Sequence, residues 1–364
     1  MSLSTLRAAL LAAGAVFAGA SAVQADPVTT TDLNGRTVTL DKPAERIVMI
    51  PIPSSSTVIA LDGTTDHLVG MHPLSKSAIE EAILGEFFPD AKDIASDIIA
   101  SGGSSGFSPN VEAIAALRPD LVVQWGHQGE DIVAPLTNAG LTTALIQYGT
   151  EEKARDIIKL LGTLIGKPEK LDEIIAWRDD TTAKIEAGLE GLSDEDKPSV
   201  LYLLRAQTEL RASGTGSYND FYINLAGGKN AAAELQGLKP VNAEQVAAWN
   251  PDVILLNGFE SELDVSRIYD DPILGATNAA ISKRVYKMPI GGYRWDPPSQ
   301  ESPLTWQWLA TLLHPDLFDF DIRGEITGWY AKLYGQTPTA EQIDGILRVS
   351  MNGGGANYDR FLAD

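Results

Sequence analysis

The sequence predicts an α/β protein of two lobes, each built on a parallel sheet, joined by one long helix. Three observations carry that prediction. The first is a passage written twice. Asn110-Val111-Glu112-Ala113-Ile114-Ala115-Ala116-Leu117-Arg118-Pro119-Asp120-Leu121-Val122 recurs about 130 residues later as Asn242-Ala243-Glu244-Gln245-Val246-Ala247-Ala248-Trp249-Asn250-Pro251-Asp252-Val253-Ile254. That spacing is too wide for a solenoid and points to a duplicated lobe. In each copy an asparagine opens a short helix, a Pro-Asp turn follows, and an apolar run suits a buried strand.

The second observation is an alternation of strand-like and helix-like segments. Residues 37–40 read as a short strand, 46–50 as a buried strand ending at Pro51, 57–61 as the start of a helix and 68–71 as a strand. After the first copy of the motif come strand 121–124, a helix around 132–138 and strand 143–146; the second half offers strands at 199–204, 253–256 and 285–288. Strands and helices alternating at this spacing form parallel sheets, whose ligands bind beyond the carboxyl ends of the strands.

The third observation is the stretch 169–192, which contains no proline and places Leu171, Ile174, Ile175, Ile185 and Leu189 at near-helical spacing. About 24 residues make roughly 36 Å of helix. The stretch follows the helix-like 151–165 and precedes Pro198, where the second lobe opens, so it reads as a connector that resists large hinge bending.

The front of the chain predicts export. One basic residue, Arg7, precedes an apolar run over 8–20 and the small-residue pattern Val23-Gln24-Ala25, which fits a cleaved signal with Asp26 as the mature start. The apolar run is short of the roughly 20 residues that a membrane span needs. The chain has no cysteine, which excludes disulfides, thiolate metal sites and lipid attachment through cysteine. The expected location is a bacterial periplasm, with the mature protein free and monomeric. The expected organisation is a signal peptide at 1–25, an N-terminal lobe at 26–166, the connecting helix at 167–193, a C-terminal lobe at 194–316 and a helical tail at 317–364. A net charge of −21 argues against nucleic acid and acidic membrane surfaces as partners.

The export signal, the two lobes, the single long helix and the repeated Asn-x-Glu-x-x-Ala-x-x-Pro-Asp pattern together resemble the helical-backbone class (class III) of periplasmic binding proteins. The resemblance extends to Gly227-Gly228-Lys229-Asn230 and to Trp329-Tyr330-Ala331-Lys332-Leu333-Tyr334-Gly335. It implies two Rossmann-like lobes with a ligand cleft between them, in the service of an ABC importer. Members carry ferric siderophores, haem, cobalamin or, in some branches, molybdate. It also implies that Glu112 and Glu244, one on each lobe, form salt bridges with arginines of the permease dimer. Two like carboxylates on twin lobes suit a two-fold symmetric partner.

Ligand contacts are expected in the loops after the strands. In the first lobe these are Trp125, His127 and Gln128, with His72, Tyr148 and the glycine-serine loop that ends at Phe107. A tryptophan at the position of Trp125 is similar to the aromatic pocket residue of the cobalamin-binding member and offers a face for stacking. In the second lobe they are Arg205 and the run Tyr293-Arg294-Trp295, with Arg211 and Tyr218 as weaker candidates. Arg294 between two aromatics offers several donors to an anionic chelate; its other reading is a structural pair with Asp296. Trp306 and Trp308 read as core.

Four histidines, His67, His72, His127 and His314, are too few for a bare transition-metal site of the usual kind. His72 with His127 as axial ligands of a haem iron or cobalt remains an alternative. No Ser-His-Asp signature, phosphate loop or zinc-protease helix is present, so a chelatase-like enzyme or an envelope structural protein is less supported than a binder. The lead ligand is a ferric siderophore, with no resident cofactor. Cobalamin, haem and molybdate are the alternatives, and the tail from 321 to 349 is closer to molybdate-type members.

Overall fold

The computed structural model describes residues 26–101 and 106–363. The expected signal peptide and Gly102 to Ser105 of the glycine-serine loop lie outside the described residues. The chain opens with an antiparallel hairpin, β1 (Val28–Thr31) and β2 (Thr37–Leu40). The first α/β layer comprises β3 (Ile47–Met49), α1 (Ser54–Asp62), β4 (Leu68–Met71), α2 (Pro73–Glu81), α3 (Ile83–Phe87), α4 (Val111–Ala116), β5 (Leu121–Trp125), α5 (Ala134–Asn138) and β6 (Thr143–Ile146). Its strands pair in the order β4-β3-β5-β6, all parallel. Every residue of β3, β5 and β6 is buried, because helices cover both faces; hence these strands read as mainly apolar runs rather than as alternations.

After α6 (Glu151–Leu164) the connector is α7 (Pro168–Gly188), 21 residues long and so about 32 Å. It starts on Pro168, whose missing N–H costs nothing in a first turn. It stops short of the expected residue 192. Gly188 packs so tightly on Phe318 that a Cβ there would lie 2.3 Å from the ring, and Gly191 takes a left-handed φ of 85° that breaks the helix.

The second layer contains β7 (Ser199–Leu204), β8 (Arg211–Ser213), α8 (Tyr218–Leu225), β9 (Lys229–Asn230), β10 (Leu238–Pro240), α9 (Ala243–Trp249), β11 (Val253–Leu256), α10 (Ser266–Tyr269), α11 (Asn278–Ile281) and β12 (Val285–Lys287). The sheet runs β10-β8-β7-β11-β12, with β9 beside β7. Its core β7-β11-β12 is parallel, and β8 and β10 form an antiparallel edge. The twice-written motif is the same structure twice. Asn110 and Asn242 accept hydrogen bonds from Ala113 N at 3.2 Å and Gln245 N at 2.8 Å, capping α4 and α9. Arg118 and Asn250 then take left-handed φ values of 48° and 44°. Asp120 accepts from Arg46 N at 2.8 Å and Asp252 from Ser199 N at 2.9 Å, so each motif pins the start of the neighbouring strand, β3 or β7.

The chain ends with α12 (Ser302–Leu313), α13 (Ile322–Tyr334), α14 (Ala340–Ile346) and α15 (Val349–Asn352). All of α12 is buried, including Trp306 and Trp308, because α7, α8 and α13 surround it. The tail is a bridge rather than an appendage. The α13 helix packs on α1 of the first layer, and Tyr330 and Tyr334 meet Phe87 and Phe88 edge-on, with centroids 6.2 and 6.4 Å apart. One apolar cluster therefore runs from Val38 through α7 and α12 to Phe361.

Polar ties reinforce it. Fully buried Arg178 on α7 donates to Glu151 Oε1 at 2.8 Å and Oε2 at 2.5 Å, and to Ser299 O at 2.8 Å. Fully buried Glu301 accepts from Gly292 N at 2.8 Å, Trp295 Nε1 at 2.9 Å, Tyr330 Oη at 3.0 Å and Tyr334 Oη. Gly291 and Gly292 leave the room this requires: a Cβ on Gly291 would stand 2.0 Å from Tyr330 Oη, and one on Gly292 2.2 Å from Tyr334 Oη.

Candidate functional site

The carboxyl ends of β6 in the first sheet and of β7, β11 and β12 in the second border a cavity of about 320 Å³ between the layers. Tyr148, which follows β6, lines it from the first layer; Tyr202, Tyr218, Asn219, Phe259 and Asp296 line it from the second. Tyr202 lies within β7, Phe259 follows β11, and Asp296 sits in the loop after β12. The loop that carries Asp296 is held by the Glu301 hub and by Tyr202.

The electrostatics centre on Asp296. Its Oδ2 accepts from Gly258 N at 2.6 Å and from Tyr202 Oη at 3.2 Å, while buried Oδ1 has no hydrogen-bond partner. Burial pushes this carboxyl up to about 6, against the pull of Gly258 N–H and the Lys287 ammonium. Lys287 is itself fully buried and donates to Glu260 O at 2.5 Å, and burial lowers it to about 8.

The predicted residues fall into two groups. Five of them, His72, Phe107, Trp125, His127 and Tyr148, form one chain of aromatic contacts. His72 lies 5.2 Å from Phe107, and Trp125 meets Phe107, His127 and Tyr148 edge-on at 6.1, 5.2 and 6.2 Å. Within it Trp125 is buried, and it borders a narrow gap to Pro298 and Ser299 of the second layer. His72 caps α2: Nδ1 accepts from Leu74 N at 3.0 Å and Nε2 donates to Gly106 O at 2.8 Å. Both nitrogens are engaged and burial lowers its basicity, which leaves no lone pair for an axial metal bond. His127 is exposed, and Gln128 beside it is exposed too.

The second group surrounds Arg294. It pairs with neither Asp296 nor open solvent but crosses between the layers, donating through Nε to Gly258 O at 2.8 Å and through Nη2 to Glu81 Oε2 at 2.8 Å. Its guanidinium lies over Phe259 at 5.2 Å and Tyr293 at 5.8 Å. Glu81 also takes Arg348 at 3.2 Å, so this carboxylate on α2 latches the first layer to the loop and tail of the second. Tyr293 and Trp295 are buried behind Arg294, and Trp295 serves Glu301. Arg205 stands exposed at the end of β7 with a left-handed φ of 54°, away from the cavity wall. Arg211 pairs with Glu209 at 3.6 Å.

Sequence reasoning did not single out Tyr202, Asn219, Phe259 or the cavity role of Asp296. Phe259 follows the strand run 253–256, as Trp125 follows 121–124, so the strand-end rule that selected Trp125 applied to it as well. Among the described residues no cluster of three or more His, Asp and Glu side chains is placed to hold a metal ion.

A family model described as periplasmic binding protein matches residues 57–290. A periplasmic solute-binding protein from Veillonella parvula superposes with a TM-score of 0.82 at 33% identity, over 90% of this chain and 99% of that one. The molybdate-binding protein MolA of Haemophilus influenzae is 26% identical over 333 residues, 85% of this chain and 91% of its own. The vitamin B12-binding protein of Salmonella typhimurium is 30% identical over 156 residues, 42% of this chain and 57% of its own. All three relatives are binding proteins by name. With its two α/β layers, its connecting helix and a family match over most of its length, the chain belongs to the periplasmic binding protein family, in the helical-backbone class that serves ABC importers.

Proposed function

We propose that this protein captures a compact metal chelate, an iron chelate of the siderophore class, in the cavity between its lobes and delivers it to an ABC permease. The observation that carries the reading is a cavity lined from both layers at the carboxyl ends of their strands. About 320 Å³ lies at the lower end of the range for small-molecule sites, which suits a compact ligand better than a whole corrinoid. A second reading, molybdate, is favoured by the similarity to the Haemophilus protein over 85% of this chain.

Delivery is assigned to Glu112 and Glu244. Both are exposed in the first turn of equivalent helices, where the motif repeats, and each offers a carboxylate to one subunit of a two-fold permease. The protein acts after export and signal cleavage, free in the periplasm and as a monomer. No helix among the described residues is long and apolar enough to cross a membrane.

Thermal unfolding with ferric hydroxamate, ferric catecholate, cyanocobalamin, haem and molybdate tests the choice of ligand. At a ligand concentration of about 100 Kd, mass action adds about 2.7 kcal/mol, a rise of several degrees. The expected result is such a rise with one of the iron chelates. A rise with molybdate alone replaces the lead reading by the second.

A further inference from the structure

The polarity of the cavity has a sign. Asp296 is the only charged residue in its described lining, is 2% exposed, and has a carboxylate oxygen, Oδ1, without a hydrogen-bond partner. The cations near it are engaged elsewhere: Lys287 on Glu260 O, and Arg294 on Gly258 O and Glu81. A buried acceptor left unsatisfied costs free energy, which a ligand recovers by donating to it. Tyr148 and Phe259, the exposed aromatic rings of the lining, come one from each lobe at 40% and 42% exposure. They offer an apolar grip around that single acceptor.

We propose that Asp296 is the polar anchor for the ligand, which turns a hydrogen-bond donor or positive charge toward it and an apolar or aromatic face toward Tyr148 and Phe259. The donor is an amide, an ammonium or a metal-bound amine. The assignment rests on the cleft being the capture site. It places the recognised class among neutral or cationic chelates, and not among polyanions. The groups that act on the Asp296 carboxyl are Lys287, Arg294 and the phenols of Tyr148, Tyr202, Tyr222 and Tyr293; burial holds those phenols well above neutrality. Glu81 and Glu260 act on Lys287 in turn. Loss of a proton from Asp296 near pH 6 is therefore the titration that ligand binding senses.

Isothermal titration with hexaamminecobalt(III), an inert cation covered in N–H donors that does not itself titrate, tests the assignment beside two anionic probes, ferric citrate and molybdate. The expected result is one site for the cobalt complex in the wild type, weakened about tenfold or more in Asp296→Asn, as for a charge-assisted hydrogen bond. In the wild type, which needs no folded variant, binding also weakens between about pH 7.5 and pH 5 as the carboxyl takes up its proton. Equal binding by wild type and Asp296→Asn, or a set of weak sites that the variant leaves unchanged, overturns the assignment. One-to-one binding of ferric citrate or molybdate in preference to the cobalt complex also overturns it and leaves capture in the cleft standing. Binding of none of the three by the wild type overturns the assignment as well, and capture in the cleft is then decided by thermal unfolding with the iron chelates, cyanocobalamin and haem.

Discussion

Replacing Glu301 by alanine is expected to destabilise the protein by roughly 4 kcal/mol or more, a large part of the 5–15 kcal/mol that holds a typical domain together. The carboxylate is fully buried and collects Gly292 N–H, the Trp295 indole N–H and the Tyr330 and Tyr334 hydroxyls. Alanine strands these donors, each at a cost of about 1–3 kcal/mol, and opens a cavity beside them. Burial raises the pKa of Glu301, so Glu301→Gln, neutral and nearly isosteric, keeps one acceptor oxygen and is expected to lose distinctly less. Urea unfolding followed by tryptophan fluorescence measures both; a loss below about 1 kcal/mol for alanine contradicts the role given to this hub. The consequence reaches function, because Glu301 holds Gly292 and Trp295 at the two ends of the stretch that aims Arg294, and the chain continues directly into Asp296.

The second large effect is expected at the delivery surface. The double charge reversal Glu112→Arg with Glu244→Arg is expected to abolish ligand uptake by cells while leaving ligand affinity within about twofold, since neither residue lines the cavity. Each helix loses the favourable meeting of a carboxylate with its N-terminus, about 0.3–1 kcal/mol at an exposed site, so folding survives. Single reversals are expected to be intermediate, because the permease retains one contact. Parallel measurement of uptake and of affinity on purified protein checks this; an affinity loss as large as the uptake loss, or unchanged uptake, contradicts docking through the pair.

The sequence showed the layers because a buried parallel strand leaves a simple trace, an apolar run such as 121–123 or 253–256. It showed the duplication because one residue type serves one local role in each copy: Asn110 and Asn242 cap, Asp120 and Asp252 pin a strand. The connector was visible because helix propensity is local, though its end at Gly188 was set by contact with Phe318, more than a hundred residues away in the chain.

What the sequence hid depends on such long-range meetings. The edge strands β8, β9 and β10 are three residues long or shorter and carry no periodicity to detect. Arg294 was expected to receive an anionic chelate, with a pair to the adjacent Asp296 as the other reading, yet its partner is Glu81, 213 positions away. That exchange removes Arg294 as a free anion receptor and leaves Asp296 with an unmatched oxygen. Likewise His72 and Trp125 follow strands as expected, but a helix cap and an edge-on aromatic stack occupy them.

Capture of a compact iron chelate between the lobes is tested on protein purified without denaturation from its native periplasm. Metal content, visible spectrum and native mass of the retained ligand are read on the same sample. The expected result is one iron per chain, a chelate absorption band, and an added mass of siderophore size that disappears on unfolding. A colourless protein carrying molybdenum, a corrinoid spectrum, or a haem band contradicts it.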